Sequence, residues 1–462
     1  MRVLTAGEFD AYWSSLFIQA PFGSQAPGGG QAPGEAVDAA VRDIIAAVRA
    51  EGDAALRRYA ALFDKSSPEK LELDPGAAPE AWEELAAGEP ELAAALELAA
   101  GHIMRFSLEQ KKQFHDFEYE MEAGLFSGQR VIPVERAAVY APGGRFPLVS
   151  TVLMGLIPGI AAGAGELLLA SPPGTDGLPD RRILAAAGLA GKLGGKTPRI
   201  FAMGGAQAIA ALALGTQTVP RCDLIVGPGN KYVAAAKKLL FGEVGIDFIA
   251  GPTDVLIITE AAGPVSAAEL VSAAELVSAA ELVSADMLAQ AEHDPDARAR
   301  VLIPAGEEAL AREILAALER HLEKLPTAAI ARASLDAGGL IISYRDREEA
   351  LRIANTIAPE HLELLVSRPE DWIPGLKNYG SLFLGALSAE VLGDYSAGIN
   401  HTLPTSGSAR FTGGLSVRHF LKTVTTLRCA AGPGFEAARR AAESIALAEG
   451  LPGHAASAAA RG

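Results

Sequence analysis

Apolar positions in AVDAAVRDIIAAVRAEGDAALRRYAALFD (36–64) recur at helical spacing, with Val37, Val41, Ile44, Ile45 and Val48 on one stripe. This predicts an amphipathic helix with one side packed on a core. From about residue 136 short apolar runs alternate with Ala-rich helical stretches. RAAVYAPGG (136–144) reads as a strand and a Gly turn, and ELLLASPP (166–173) as a strand and a Pro turn. PRIFAMGGAQAIAALALG (198–215) and CDLIVGPGNKYVAAAKKLL (222–240) each read as strand, Gly-rich turn and helix. Strands alternating with helices predict a parallel sheet covered on both faces. Ligands on such sheets sit beyond the carboxyl ends of strands, where the turns at 143–144, 204–205 and 227–229 fall. VLIIT (255–259), RVLIP (300–304), LIISY (340–344) and SLFLG (381–385) predict the strands of a second α/β unit.

The expected fold class is therefore α/β: two Rossmann-like parallel-sheet domains, an N-terminal helical segment and a helical C-terminal tail. No complete G-x-G-x-x-G follows any strand, since GPGNKY (227–232) lacks the third Gly, so a dinucleotide would have to be held without that fingerprint. The boundaries drawn are 1–35 for an N-terminal segment with its linker, 36–135 plus 253–415 for a discontinuous first domain, 136–252 for a second, and 416–462 for the tail. PFGSQAPGGGQAPGE (21–35) reads as a flexible linker. Residues 265–282 hold VSAAEL three times. A six-residue period advances a helix by ~600°, so successive Leu–Val pairs rotate about the axis and form no single apolar face. The expansion reads as a tandem insertion in a pre-existing helix, absorbed before residue 286.

Composition narrows the partners. With 462 residues the chain can bury more than one core, and 49% hydrophobic and 21% charged residues are ordinary for a globular protein. A net charge of −16 with no basic run argues against nucleic acid. The two cysteines, Cys222 and Cys429, suffice for neither a disulfide framework nor a thiolate zinc site. No signal peptide and no apolar stretch of membrane-spanning length is visible, so a cytoplasmic location is the default expectation.

Four segments carry candidate chemistry. In LAQAEHDPD (288–296), Gln290 and His293 are three apart and are expected on one helical face before Asp294-Pro295 ends the helix. A His there is equally a favourable partner for the helix dipole. APEHLEL (358–364) sets Glu360 beside His361 after a Pro, read as a helix start. Helix starts attract Glu in any case, yet a carboxylate and an imidazole side by side also form a general-base pair. In VLGDYSAGINHTLPTSGSARF (391–411), Asp394 and His401 flank a Gly-rich loop, which suits either a binding site or a hydrogen-bonded loop. His454 in LAEGLPGH (447–454) reads by itself as a solvated tail residue. AGKLGGKT (190–197) is excluded as a phosphate loop, because it starts on Ala190 and lies between a helix and a strand rather than the reverse.

Taken in order, VYAPGG (139–144), GGAQAIAALA (204–213), GPGNKYV (227–233), AGPTDVL (250–256), DMLAQAEHDPDA (286–297), APEHLEL (358–364), GDYSAGINHTLPT (393–405) and the Glu449–His454 pair resemble the histidinol dehydrogenase family. The resemblance runs over about 36–454. It implies NAD-dependent oxidation of L-histidinol to L-histidine through bound L-histidinaldehyde. It assigns one Zn²⁺ per subunit to Gln290, His293, Asp394 and His454, acid–base work to Glu360 and His361, and NAD contacts to Tyr140, Gln207 and Asn230. Thr253, His361, His401 and Glu449 would contact histidinol together with the metal ligands. His454 and Glu449 would reach the partner's site, so a homodimer with shared active sites is implied. The alternatives are a related zinc and NAD dehydrogenase acting on another polar alcohol, a metal-dependent hydrolase using Glu360–His361, and a non-enzymatic repeat protein.

Overall fold

A computed structural model describes residues 1–19, 33–66, 68–143, 147–260 and 278–462. Most of the linker at 21–35 and the first two VSAAEL copies lie outside the described residues. The third copy opens the helix Ala279–Ala291. Ser278 caps it by accepting from the Glu281 N–H, and Ala279, Ala280 and Val283 are buried beneath it. Glu281 of that copy is tied across to Arg320 and His321.

Two parallel sheets form the body. One has six strands in the order Arg2–Thr5, Leu340–Tyr344, Arg298–Pro304, Asp254–Thr259, His361–Leu365, Ser381–Leu384. The other has five, in the order Arg199–Ala202, Glu166–Ser171, Arg136–Tyr140, Leu224–Val226, Gly245–Ile246. The five-stranded sheet starts on its inner strand Arg136–Tyr140, winds two strands outward on one side, and returns to wind outward on the other; the larger sheet does the same from Asp254–Thr259, with Arg2–Thr5 added at its edge. Such reversal points are where open α/β sheets bind ligands. Period-two alternation loads both faces. Ala137 and Val139 enter one core and Ala138 and Tyr140 the opposite one. In the larger sheet Val255 and Ile257 are separated from Leu256 and Ile258 in the same way. Being buried on both faces is why these strands read as continuous apolar runs.

The structure corrects several expectations. The helices Pro33–Glu51, Ala77–Gly88 and Pro90–Lys111 pack on the helices of the five-stranded sheet. Val41, Ile44, Trp82 and Leu96 enter its two cores, so residues 36–111 do not group with 253–415. The N-terminal segment is not separate, because Arg2–Thr5 is an edge strand paired with Leu340–Tyr344. A third, antiparallel sheet of Phe117–Glu122, Leu125–Pro133 and Leu421–Cys429 was not expected. Every residue of its FEYEME strand is exposed, so no inward apolar face marks it. The tail thus begins with the short helical turn Val417–Phe420 and a nine-residue strand, and its helices Pro433–Ala448 and Pro452–Ala459 follow.

Candidate active site

Glu360 and His361 do not open a helix. The helix Arg347–Ile357 stops before them, with Ala358 in the left-handed region at φ 52°. Pro359 disfavours further helix, and HLELL continues as the strand His361–Leu365. Its neighbours place His361 opposite Val255 and Ser381. Thr253 and Asp254 stand at the start of the adjacent strand, so Glu360 and His361 lie at the amino ends of the two strands flanking the reversal point. The expectation of carboxyl-end sites therefore holds for the Gly-rich turns and not for these residues.

Glu360 is fixed from three directions. Its carboxylate accepts from Thr253 Oγ1 at 2.5 Å and from the Asp254 N–H at 3.0 Å. Its own N–H donates to Asp254 Oδ1 at 3.0 Å. Asp254 is anchored in turn by buried Arg300 at 3.0 Å. Burial pushes the Glu360 carboxyl up to about 7, against the pull of His361 and the Thr253 hydroxyl. A carboxyl there divides between acid and base near neutral pH.

The Gln290 side chain, at the end of its helix, completes this corner. Oriented to satisfy its neighbours, its nitrogen donates to Glu390 Oε1 at 2.5 Å and its amide oxygen accepts from the Asp254 N–H at 3.2 Å, lying 2.5 Å from Thr253 Oγ1. His293 lies just beyond that helix, which ends at Ala291, rather than on its face. It is exposed and lines a cavity of about 480 Å³ shared with Ser150, Tyr395 and Ser396.

Asp394 and Glu390 are four apart on the short helix Glu390–Tyr395 and both are buried. His361 Nε2 is 3.4 Å from Asp394 Oδ1, and Nδ1 is 3.8 Å from Glu390 Oε1. Burial alone would lower the His361 pKa. Glu390, Glu360 and Asp394 outweigh it and raise it well above the usual imidazole value. Burial would raise Asp394, but the close approach of the His361 ring and its charge bring it below the usual carboxylate value. His401 bonds the Asp394 carbonyl at 3.1 Å through Nδ1 and Thr151 Oγ1 at 3.2 Å through Nε2, and burial lowers its pKa. Thr151 lies in the first turn of the helix Val149–Ala162, which follows the first strand of the other sheet, so His401 spans the cleft between the two sheets.

Thr253, Gln290, Glu360, His361, Asp394 and His401 thus converge on one cleft, with His293 near enough to act on the charges of Asp394 and His401. Glu390 was missed in the sequence. The available signal was its i, i+4 spacing to Asp394, which puts both carboxylates on one helical face. Glu449 and His454 are exposed on the tail. The tail helices pack mainly on each other and on Phe117–Glu122, away from the cleft within one chain.

Tyr140, Gln207 and Asn230 line a second cavity of about 580 Å³ at the carboxyl ends of the five-stranded sheet. Tyr140 accepts from the Gly205 N–H at 3.0 Å. Asn230 caps the helix Lys231–Leu240 through its side-chain oxygen, at 3.0 Å from the Tyr232 N–H and 3.2 Å from that of Val233. The adjoining turn needs Gly227, whose φ is 114° and whose added Cβ would strike the Tyr140 carbonyl. Asp247 accepts from the Gly227 N–H at 2.8 Å, Lys237 donates to its carbonyl at 3.0 Å, and the two side chains form a buried ion pair.

Comparison with known proteins places these features. A histidinol dehydrogenase family model matches residues 30–462. The chain is 45% identical over 421 residues to histidinol dehydrogenase of Thermus thermophilus, covering 91% of this chain and 93% of that one. It is 42% identical over 428 residues to histidinol dehydrogenase of Aquifex aeolicus, covering 91% of each. A crystal structure of histidinol dehydrogenase from Elizabethkingia anophelis superposes with a TM-score of 0.82 at 33% identity, over 98% of this chain and 95% of that one.

Proposed function

The chain belongs to the histidinol dehydrogenase family, and on that premise we propose that it oxidises L-histidinol to L-histidine in one cleft with two NAD⁺. The observation that carries the reading is the convergence of Glu360, His361, Gln290 and Asp394 between the two sheets. The reaction takes an alcohol, one water and two NAD⁺ to a carboxylate, two NADH and three protons.

The donor set fits a divalent cation. Glu360, Glu390 and Asp394 gather around one imidazole, an excess of negative charge that a cation offsets, and His361, Glu390 and Asp394 offer ligand atoms within 4.8 Å of one another. Gln290, His293, Asp394 and His454 of the partner subunit would hold Zn²⁺, an oxygen and imidazole set that suits it. When bound, zinc would supply a positive centre for the amine and imidazole of histidinol, and its charge would offset the carboxylates that hold His361 protonated.

The chain's own groups then divide the proton work. His361 takes the hydroxyl proton of the alcohol as hydride leaves the carbon. Glu360, held by Thr253 and the Asp254 N–H, takes a proton from water as its oxygen bonds to the aldehyde carbon. NAD⁺, accepting the hydride each time, would be held by Tyr140, Gln207 and Asn230. His401 and Thr253 would contact histidinol. The enclosed site keeps the aldehyde from escaping between the two steps.

Glu449 and His454 support a homodimer with shared sites. They stand exposed on a tail that also exposes Ile445, Leu447 and Leu451, at 58%, 58% and 43%. A tail with little core of its own docks on a larger surface, and two-fold symmetry makes the exchange reciprocal. Among the described residues no helix is long and apolar enough to cross a membrane. Comparing NADH formation from histidinol with that from other amino alcohols tests the substrate. Equal turnover of an alcohol without an imidazole would favour the related-dehydrogenase reading.

A further inference from the structure

Among the described residues that line the cavity holding Tyr140, Gln207 and Asn230, one is charged, Asp64. It ends the short helical turn Ala60–Asp64, and the backbone leaves through Lys65 in the left-handed region at φ 51°. Its Oδ2 is buried without a hydrogen-bond partner. An orphaned buried acceptor is costly, and an ionised carboxylate can only accept. The site therefore calls for a ligand that donates.

Burial has already raised the Asp64 carboxyl to about 6, with no neighbouring cation to offset it. Ala40, Ile44, Pro142 and Pro172 make much of the remaining wall apolar. Lys65 and Lys231 follow lining residues in the chain, but neither lines the cavity.

We propose that Asp64 accepts from the vicinal hydroxyls of a dinucleotide ribose and thereby selects NAD over its 2′-phosphorylated form. The proposal rests on the NAD reading above and assigns the group that reads the sugar. Phosphates are excluded as Asp64 ligands because both are anionic. A 2′-phosphate would set two further negative charges beside Asp64, with no lysine or arginine among the described lining residues to pair them. Carboxylates select unphosphorylated ribose in this way on strand-borne dinucleotide sites. Here the carboxylate comes from a helical turn preceding the sheet.

Calorimetric titration of the full-length enzyme with NADH and with NADPH tests this, with thermal melts confirming that each variant is folded. Wild type should bind NADH and prefer it to NADPH by at least about 100-fold. Asp64→Ala should weaken NADH about 10- to 100-fold, the range of a lost charge-assisted hydrogen bond. Asp64→Asn, which keeps shape and removes charge, should narrow the NADH–NADPH gap at least about tenfold, because the repulsion is gone. NADH binding by both variants as tight as wild type would overturn the role of Asp64 and leave the NAD reading standing. Weaker NADH binding with the gap unchanged would also overturn it, by showing that the carboxylate serves another donor. Failure of wild type to bind either nucleotide would instead sink the NAD reading.

Discussion

Thr253 Oγ1 and Glu360 Oε2 are 2.5 Å apart, a bond that ties together the amino ends of two neighbouring parallel strands. The same hydroxyl meets Gln290 at 2.5 Å, so one small side chain sets both the Glu360 carboxylate, the proposed base, and a candidate metal ligand. Thr253→Ala should lower kcat about 10- to 100-fold, since a hydrogen bond to a charged group is worth about 1.5–3 kcal/mol. Thr253→Ser should restore most of it, because the hydroxyl is the working part. Steady-state kinetics on the two variants checks this, and equal losses in both would show that methyl packing matters instead.

Burial of Glu360 sets a pH dependence. Its carboxyl is raised to about 7, and a general base works only when deprotonated. The rate of aldehyde oxidation should therefore rise with pH through about 7 and fall below it. Glu360→Gln should transfer the first hydride and stall before the second. Single-turnover measurements with histidinol and with histidinaldehyde separate the steps, and a Gln variant that oxidises the aldehyde at the wild-type rate would reassign the base.

Much of this was legible in the sequence, and the failures are physical. The strands Arg136–Tyr140, Arg199–Ala202 and Asp254–Thr259 were visible because burial on both faces makes them unbroken apolar runs between Gly or Pro turns. His361–Leu365 was hidden because it carries His361 and Glu363 on one face, both buried, so its alternation resembles a solvent-facing pattern. Glu390 passed unnoticed because an acidic residue starting a helix is ordinary. His293 was expected on the helix, but that helix closes two residues earlier. The antiparallel sheet buries none of its FEYEME strand within one chain, so no hydrophobic pattern announces it.

The Lys237–Asp247 pair holds the Gly227 turn from both sides. Lys237→Met should leave Asp247 charged and buried, destabilising the fold by about 3–5 kcal/mol. The double variant Lys237→Met with Asp247→Leu should recover part of that loss, since no unpaired charge remains. Denaturant unfolding of the three proteins measures it. No recovery would mean that contacts to the Gly227 backbone, rather than the unpaired charge, set the cost.

Shared sites predict complementation between chains. Asp394→Asn and His454→Asn homodimers should each be nearly inactive. In a mixed dimer one site collects both lesions and the other is intact, so activity should return to up to about half per mixed dimer, by the reciprocity of two-fold symmetry. No recovery on co-expression would place His454 at its own chain's site.

The most direct test counts NADH released per histidinol consumed, with and without a chelator. Two NADH per histidinol, with no free aldehyde and loss of turnover on chelation that Zn²⁺ restores, is the result expected of one metal-dependent cleft carrying both oxidations. One NADH per histidinol with aldehyde appearing in solution, or full activity in the chelated enzyme, would contradict it.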